Sequence, residues 1–192
     1  MKSKMYRLFE EKRSVHVLYS YDGMKQYIDH VVDFIQQGIL AGDYVILIEN
    51  ERIYPMIQSE LIKLLDKEQL EFVHFVNNLD FYFSSGSYHP PAITNYFNNI
   101  VQPYIDNKIL FRSWAHVEWS SMEEPLHLIE DFEKIVDEAV HTHLFPLICA
   151  YEGHKMPDYL VSILMETHPY VLFQGDIIIS EQYLPLKSTK LD

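Results

Sequence analysis

The chain has 192 residues, a hydrophobic content of 48% and a formal net charge of −13. This length suits one domain with a sizeable core, and the hydrophobic content excludes a disordered chain. The negative charge disfavours direct binding to nucleic acid, and no apolar run reaches the ~20 residues of a membrane-spanning helix. The single cysteine, Cys149, cannot form an internal disulfide, and the charged N-terminus lacks an apolar signal core. Together these features predict a cytoplasmic protein.

Short apolar runs alternate along the chain with longer segments of helical period. In chain order they predict strand 15–19, helix 27–39, strand 44–48, helix 53–65, strand 70–76, loop 77–89, helix 90–104, strand 109–118, helix 126–140, strand 147–151, helix 157–164, and a hairpin of strands 170–173 and 177–179.

The alternation of strand and helix predicts right-handed crossovers and a mostly parallel sheet. The strand segments are apolar at nearly every position, which is typical of strands covered on both faces. We therefore expect an α/β fold of three layers, with helices on both faces of the sheet. No linker is long enough to divide residues 1–192, so one domain is predicted, with a core of about 14–185 and a polar C-terminal tail.

Ligands of such folds bind beyond the carboxyl ends of the strands, which directs attention to the turn after the first strand. A phosphate-binding loop needs several glycines followed by lysine and a hydroxyl residue. The turn 19–25 has one glycine, two tyrosines and Asp22, and Lys25 is not followed by Ser or Thr. This turn predicts that nucleoside triphosphates are not hydrolysed. The rings of Tyr19 and Tyr21 suit a small, weakly polar ligand better.

The fourth predicted strand is dense in functional groups. Alternation along a strand places Arg112, Trp114, His116 and Glu118 on one face. We expect Arg112 and Glu118 to form a buried structural pair, because polar groups inside a sheet layer need partners. The alternative is that His116 and Glu118 serve a metal ion or acid–base chemistry.

Cys149 lies inside the apolar run of the fifth strand, which predicts a buried and unreactive thiol. Tyr151, at the end of that strand, is a better candidate for a ligand site. His16 lies inside the apolar first strand and is either a histidine satisfied by a backbone carbonyl or a site residue. The histidines show no metal-ligand spacing, so neither a metal nor a cofactor is predicted.

Several short segments, taken in this order and spacing, resemble the MEDS domain, named from methanogens, methylotrophs and a dichloromethane-responsive regulator. The resemblance covers about 14–185. It rests on residues 16–19, Tyr27, Phe34, residues 38–43, Glu49 and Asn50, Arg112, Glu118 and Trp119, residues 149–151, His168 and Pro169, Tyr183 and Pro185.

The resemblance implies a fold similar to the RecA and KaiC type of ATPase core without its Walker motif. It also implies a role in sensing small hydrocarbon derivatives. Members of the family are often joined to a DNA-binding or histidine-kinase module, for which this sequence has no spare length. We therefore expect the domain to act through a separate protein partner, a kinase or a transcription regulator, and the helix 123–143 is the predicted contact surface.

These observations predict a stand-alone, non-enzymatic sensory domain that binds a hydrocarbon-like ligand or a regulatory protein, with no catalytic residue assigned. Two alternatives remain open: a ligand-free adaptor or inhibitor of a histidine kinase, and a metal-assisted hydrolase that uses His116 and Glu118. Formation of a homo-oligomer is left open. The predicted ligand-binding residues are His16, Tyr19, Tyr21, Arg112, Glu118, Trp119, Tyr151 and His168.

Overall fold

The computed structural model describes residues 4–119 and 126–185. Seven strands form one sheet in the order β3-β2-β4-β5-β1-β6-β7. In chain order the elements are α1 (Lys4–Glu11), β1 (Val15–Tyr21), α2 (Met24–Leu40), β2 (Tyr44–Glu49), α3 (Tyr54–Leu64), α4 (Lys67–Leu70), β3 (Val73–Asn77), α5 (Asn78–Tyr82), α6 (Pro90–Asp106), β4 (Phe111–His116), α7 (Leu126–His143), β5 (Pro146–Glu152), a 3₁₀ turn (Gly153–Lys155), α8 (Asp158–Thr167), β6 (Tyr170–Phe173) and β7 (Asp176–Ile179).

The sheet is parallel except at one edge. Strand β1 lies between β5 and β6 and runs parallel to both, and β2 runs parallel to β3 and β4. Only β6 and β7 pair in the antiparallel sense, as the hairpin predicted near the C-terminus. The predicted α/β class and three-layer arrangement are confirmed. Among the described residues, no helix combines the length and the apolar character needed to cross a membrane.

Helix α1 was not predicted, and two other parts of the predicted element order are wrong because of capping residues. Asp66 and Gln69 form a capping box, which folds residues 67–70 into a helical turn, so β3 begins at Val73 instead of residue 70. The side chain of Asn77 accepts hydrogen bonds from the backbone N–H groups of Leu79 and Asp80 and starts helix α5 inside the predicted loop.

Alternation along the strands separates two buried layers. We call the side covered by α2 and α3 the α2 face and the side covered by α5 to α8 the α7 face. Strand β1 directs Tyr19 and Tyr21 to the α2 face, whereas Leu18 lies on the α7 face. Successive residues of one strand therefore belong to different environments.

The α2 face contains a buried ion pair between the starts of β2 and β4. Arg112 is 2% exposed, and its Nε and Nη2 donate to Asp43 Oδ2 at 2.8 and 2.7 Å. The guanidinium also lies over the rings of Phe9 and Phe34. The predicted pair of Arg112 with Glu118 is wrong, because Glu118 follows the opposite end of the strand.

Gly38 of α2 makes room for this arginine. A Cβ atom at residue 38 would lie 2.8 Å from Cδ and 3.0 Å from Nε of Arg112. Such distances force a neighbour to move, and the nearest neighbour is held by its ion pair with Asp43. The absence of a side chain at Gly38 is therefore a packing requirement of the pair.

We predict that Gly38→Ala lowers the free energy of unfolding by a net ~1 kcal/mol, because overpacking usually costs about 1–3 kcal/mol. This cost exceeds the ~1 kcal/mol that alanine gains over glycine inside a helix. Urea denaturation measures the change. Gly23→Ala is the control. A Cβ atom at residue 23 would have no heavy atom within 4 Å, so the free energy of unfolding should fall by only about 0.5 kcal/mol, the cost of alanine at a helix N-cap. An alanine variant at residue 38 as stable as the wild type would contradict the packing argument.

Candidate functional site

Besides the pair of Arg112 with Asp43, the described residues contain two clusters of buried polar side chains, one on each face of the sheet. The strand-end cluster lies on the α2 face and around the carboxyl ends of β1, β2 and β4. It consists of Tyr21, Tyr27, Glu49, Asn50, Asn78, His116 and Glu118. The inner cluster lies on the α7 face, where β1 and β5 meet α7 and the end of α8. It consists of His16, Glu133, Asp137, Cys149, Tyr151 and His168.

His116 is the centre of the strand-end cluster. Its Nδ1 lies 2.6 Å from Glu49 Oε1, and its Nε2 lies 2.7 Å from the hydroxyl of Tyr21. The second oxygen of Glu49 accepts a hydrogen bond from Tyr27. Burial alone would lower the pKa of His116, but the hydrogen bond and charge of Glu49 raise it above its ordinary value. This ring is therefore well placed to be an imidazolium that donates to both neighbours.

Glu118 closes the cluster towards solvent. Its Oε2 accepts hydrogen bonds from Asn50 Nδ2 at 2.8 Å and from Asn78 Nδ2 at 2.7 Å. Burial would raise the pKa of this carboxyl, but His116 and the two amides lower it overall. Its side chain is 17% exposed, so it is the part of the cluster that solvent reaches.

The inner cluster contains two histidines whose rings are only 3.9 Å apart between centroids. His16 Nδ1 lies 3.1 Å from Asp137 Oδ1, and His16 Nε2 lies 3.4 Å from Glu133 Oε2. Burial would lower the pKa of His16, but hydrogen bonds to Asp137 and Glu133 raise it. For His168, burial and the neighbouring His16 lower the pKa to about 3, so this ring is neutral.

Cys149 completes the inner cluster from β5. Its Sγ lies 3.4 Å from His16 Nε2 and 3.7 Å from Glu133 Oε2. Burial, followed by the nearby Glu133, raises the pKa of the thiol well above its usual range. The predicted burial of this cysteine is confirmed, while its reactivity stays a prediction. Ligand atoms of His16, Glu133, Cys149 and His168 all lie within 4.8 Å of one another, so these are the described residues that could hold a metal ion.

An apolar cavity of about 40 Å³ lies beside Cys149, between the sheet and α5, α6 and α7. Its walls are mainly aliphatic and aromatic side chains: Ile48, Phe81, Tyr82, Ile93, Thr94, Phe97, Ala115, Phe132, Ile135, Val136, Ala139, Phe145, Leu147 and Cys149. None of the predicted ligand residues lines it. Ala115, Ala139 and Cys149 are the smallest side chains that line it.

The sheet divides the residues that the sequence assigned to one ligand pocket. Tyr21 and Glu118 lie in the strand-end cluster, and Tyr19 packs beside them on the α2 face. Trp119 follows Glu118, with its ring 6.4 Å from that of Tyr151.

The remaining predicted residues lie elsewhere. His16, Tyr151 and His168 belong to the inner cluster, so they share a site with one another but not with Tyr19 and Tyr21. His16 contacts carboxylates instead of the backbone carbonyl considered for it. Arg112 belongs to neither cluster and pairs with Asp43.

Apart from Glu118, the acidic members of the two clusters were not identified from the sequence as site residues. Glu133 and Asp137 are four residues apart on α7 and lie on the same side as buried Ile129 and Val140. The sequence did contain a signal for them: both acidic residues interrupt the apolar stripe of an amphipathic helix. A carboxylate in that position is buried and requires a partner. Glu49, at the end of β2, had been noted only as part of the family resemblance.

The fold is that of a three-layer α/β domain whose polar side chains converge in two internal clusters. A family model described as "MEDS: MEthanogen/methylotroph, DcmR Sensory domain" matches residues 15–169. The chain therefore belongs to the MEDS family of sensory domains, as its resemblance indicated. No curated protein sequence matches the chain.

The raised pKa of His116 predicts a specific pH dependence of stability. A histidine with a raised folded-state pKa stabilises the protein fully below its unfolded pKa of about 6.5 and loses that contribution as pH rises through the folded pKa. We expect the advantage of the wild type over His116→Gln in unfolding free energy to be largest below about pH 6.5 and to shrink above it.

His74→Gln is the matched control for this experiment, because partial desolvation at the edge strand β3 lowers the pKa of His74. The sign is then reversed: the wild type should gain stability relative to His74→Gln as pH rises towards about 6.5. Urea denaturation across a pH series measures both differences. Parallel pH profiles for the wild type and His116→Gln would contradict the assignment of an imidazolium to residue 116.

Proposed function

We propose that this domain senses a small apolar molecule that binds in the cavity between the sheet and α5 to α7. The cavity is the observation that supports this proposal. Ala115 on β4 and Cys149 on β5 form its floor, and side chains such as Phe97 and Phe132 form its walls. An apolar cavity of this kind gives a polar or charged ligand no partner for its polar atoms, and so selects an apolar one.

The size of the cavity limits the ligand. Its volume of about 40 Å³ is roughly a quarter of the ~150 Å³ of an apolar cavity that accommodates benzene. A ligand with one or two carbon atoms, such as a halogenated methane, matches this space. The family description, which names methylotrophs and a sensory domain, agrees with such a ligand.

The contacts at the strand ends favour binding over nucleotide hydrolysis. Lys25, in the first turn of α2, pairs with Asp29 on the surface, and its side chain is 89% exposed. Both ring nitrogens of His116 are engaged, one by Glu49 and one by Tyr21. A metal-assisted hydrolase would need one of these nitrogens for the metal or the substrate, so the arrangement favours the non-enzymatic proposal.

Signal output through a separate protein is the second part of the proposal. The outer side of α7 carries exposed Asp131 and Glu138, and the chain has a net charge of −13. Such a surface attracts a basic partner, for example a segment of a kinase or of a transcription regulator. Residues 120–125, which include the start of the contact helix expected from the sequence, lie outside the described residues.

We predict that dichloromethane, used as the probe, stabilises the wild type by about 1.4 kcal/mol at ten times its Kd. Methyl NMR should show shifts at Ile48 and Ile93, which line the cavity. Ala115→Val fills the floor of the cavity and should weaken binding by at least about 10-fold, whereas Ala41→Val at an exposed position should not. Magnesium and ATP should cause no shift in melting temperature. Equal affinity of Ala115→Val and the wild type would exclude the cavity as the site.

The proposed output surface predicts salt-sensitive capture of a basic protein from lysate of the source cell. Reversal of charge in Asp131→Lys with Glu138→Lys should abolish capture, because favourable steering becomes repulsion. A matched double reversal at exposed Glu51 and Glu68 keeps the same net charge and should leave capture intact. Quantitative mass spectrometry of the captured protein compares the two variants. Equal capture by both would assign the contact to another surface.

A further inference from the structure

We propose that His16, Glu133, Cys149 and His168 bind one divalent transition-metal ion, with zinc as the best match. The inference concerns the inner cluster alone and does not depend on a ligand in the apolar cavity. It differs from the expectation of no metal, which rested on ligand spacing along the chain.

The four side chains supply the donor atoms that zinc uses in proteins. Two imidazoles, one thiolate and one carboxylate form a mixed nitrogen, sulfur and oxygen set, whereas magnesium and calcium prefer oxygen alone. The donors come from β1, α7, β5 and the residue that follows α8. All four residues are buried. Because they are far apart in sequence, only the folded sheet brings them together.

The distances between donor atoms fit a tetrahedron. Bonds of about 2.1 Å to nitrogen or oxygen and 2.3 Å to sulfur give tetrahedral edges of roughly 3.4–3.6 Å. His16 Nε2 lies 3.4 Å from both Cys149 Sγ and Glu133 Oε2. Glu133 Oε2 lies 3.5 Å from His168 Nε2 and 3.7 Å from Cys149 Sγ. The two remaining edges, from His168 to His16 and to Cys149, are each no longer than 4.8 Å.

The groups around the cluster orient both histidines as metal ligands. His16 Nδ1 is 3.1 Å from Asp137 Oδ1, and His168 Nδ1 is 2.8 Å from the carbonyl oxygen of Leu164. These acceptors place the proton on Nδ1 and direct the Nε2 lone pair to the centre, as carboxylate–histidine–zinc triads do. Tyr151 donates to the other oxygen of Glu133, which leaves Oε2 for the metal.

One donor atom is left without a hydrogen bond. His168 Nε2 is fully buried and has no hydrogen-bond partner among the described residues. An unsatisfied buried polar atom costs about 1–3 kcal/mol, and a metal bond would remove that cost. A divalent cation would also balance the negative charges of a Cys149 thiolate and a Glu133 carboxylate.

The coordination would be closed. Four protein ligands occupy a tetrahedron and leave no position for a reacting water, which is the pattern of structural zinc sites. The ion would join β1 and β5 in the middle of the sheet to α7 and to the segment between α8 and β6. We therefore assign it a structural or regulatory role, not a catalytic one.

Metal binding to the purified wild-type chain is the direct test. After chelator treatment, titration with zinc should saturate near one ion per chain and raise the melting temperature, while magnesium should do neither. Cobalt(II) should produce a thiolate-to-cobalt charge-transfer band together with the visible bands of tetrahedral cobalt. Absence of zinc binding, or cobalt binding without the charge-transfer band, would overturn the proposal and leave the cluster as a hydrogen-bond network.

Variants locate the ion within the fold. Cys149→Ser should abolish the charge-transfer band, and His168→Gln should weaken zinc binding by more than about 100-fold. Asp137→Asn, which removes the outer partner of His16, should weaken it by about 10–100-fold. His74→Gln, the control, should bind like the wild type. Unchanged zinc affinity in the Cys149 and His168 variants would also overturn the assignment. If those variants do not fold, the cobalt spectrum of the wild type decides the question.

Discussion

The central strands are covered by helices on both faces, so each polar side chain they carry must find its partner inside the protein. This constraint explains the three buried polar groupings. Arg112 pairs with Asp43 at the start of β4, and His116 contacts Glu49 at its end. On the opposite face, His16 contacts carboxylates from α7. The helices cover the sheet with apolar side chains, and α7 also places two acidic residues, Glu133 and Asp137, in the core.

The sequence was sufficient for the approximate positions of the strands along the chain and for a mostly parallel sheet, because continuous apolar runs are a local signal. It was insufficient for the partners of buried polar residues. Alternation along the predicted strand placed Arg112 and Glu118 on one face, but the partner of the arginine is Asp43, the residue just before the neighbouring strand. The inner cluster joins residues of β1, α7, β5 and the end of α8, and no local spacing encodes that contact. Helix α5 was missed because one capping asparagine outweighs the loop-like composition that follows it.

Cys149 connects the two features that bear on function. Its side chain lines the apolar cavity, and its sulfur contacts His16 and Glu133 in the inner cluster. Any displacement of β5 by a molecule in the cavity would change the distances within the cluster, since close-packed interiors transmit small shifts. Strand β1 contributes to both polar clusters, because its His16 contacts α7 and its Tyr21 contacts His116. The proposed ligand cavity and the proposed metal site therefore share β5 through Cys149.

The C-terminal hairpin extends the sheet beyond the segment that the family model matches. The family match ends at residue 169, yet β6 continues the sheet by pairing with β1. Beyond the hairpin, Tyr183 donates to Asp137, and the backbone N–H of Leu184 donates to Glu166. A chain cut at residue 169 would leave β1 as an open edge, with unpaired backbone groups that favour aggregation. The sheet and its C-terminal contacts therefore extend to Leu184, and expression of residues 15–169 alone would give an incomplete sheet.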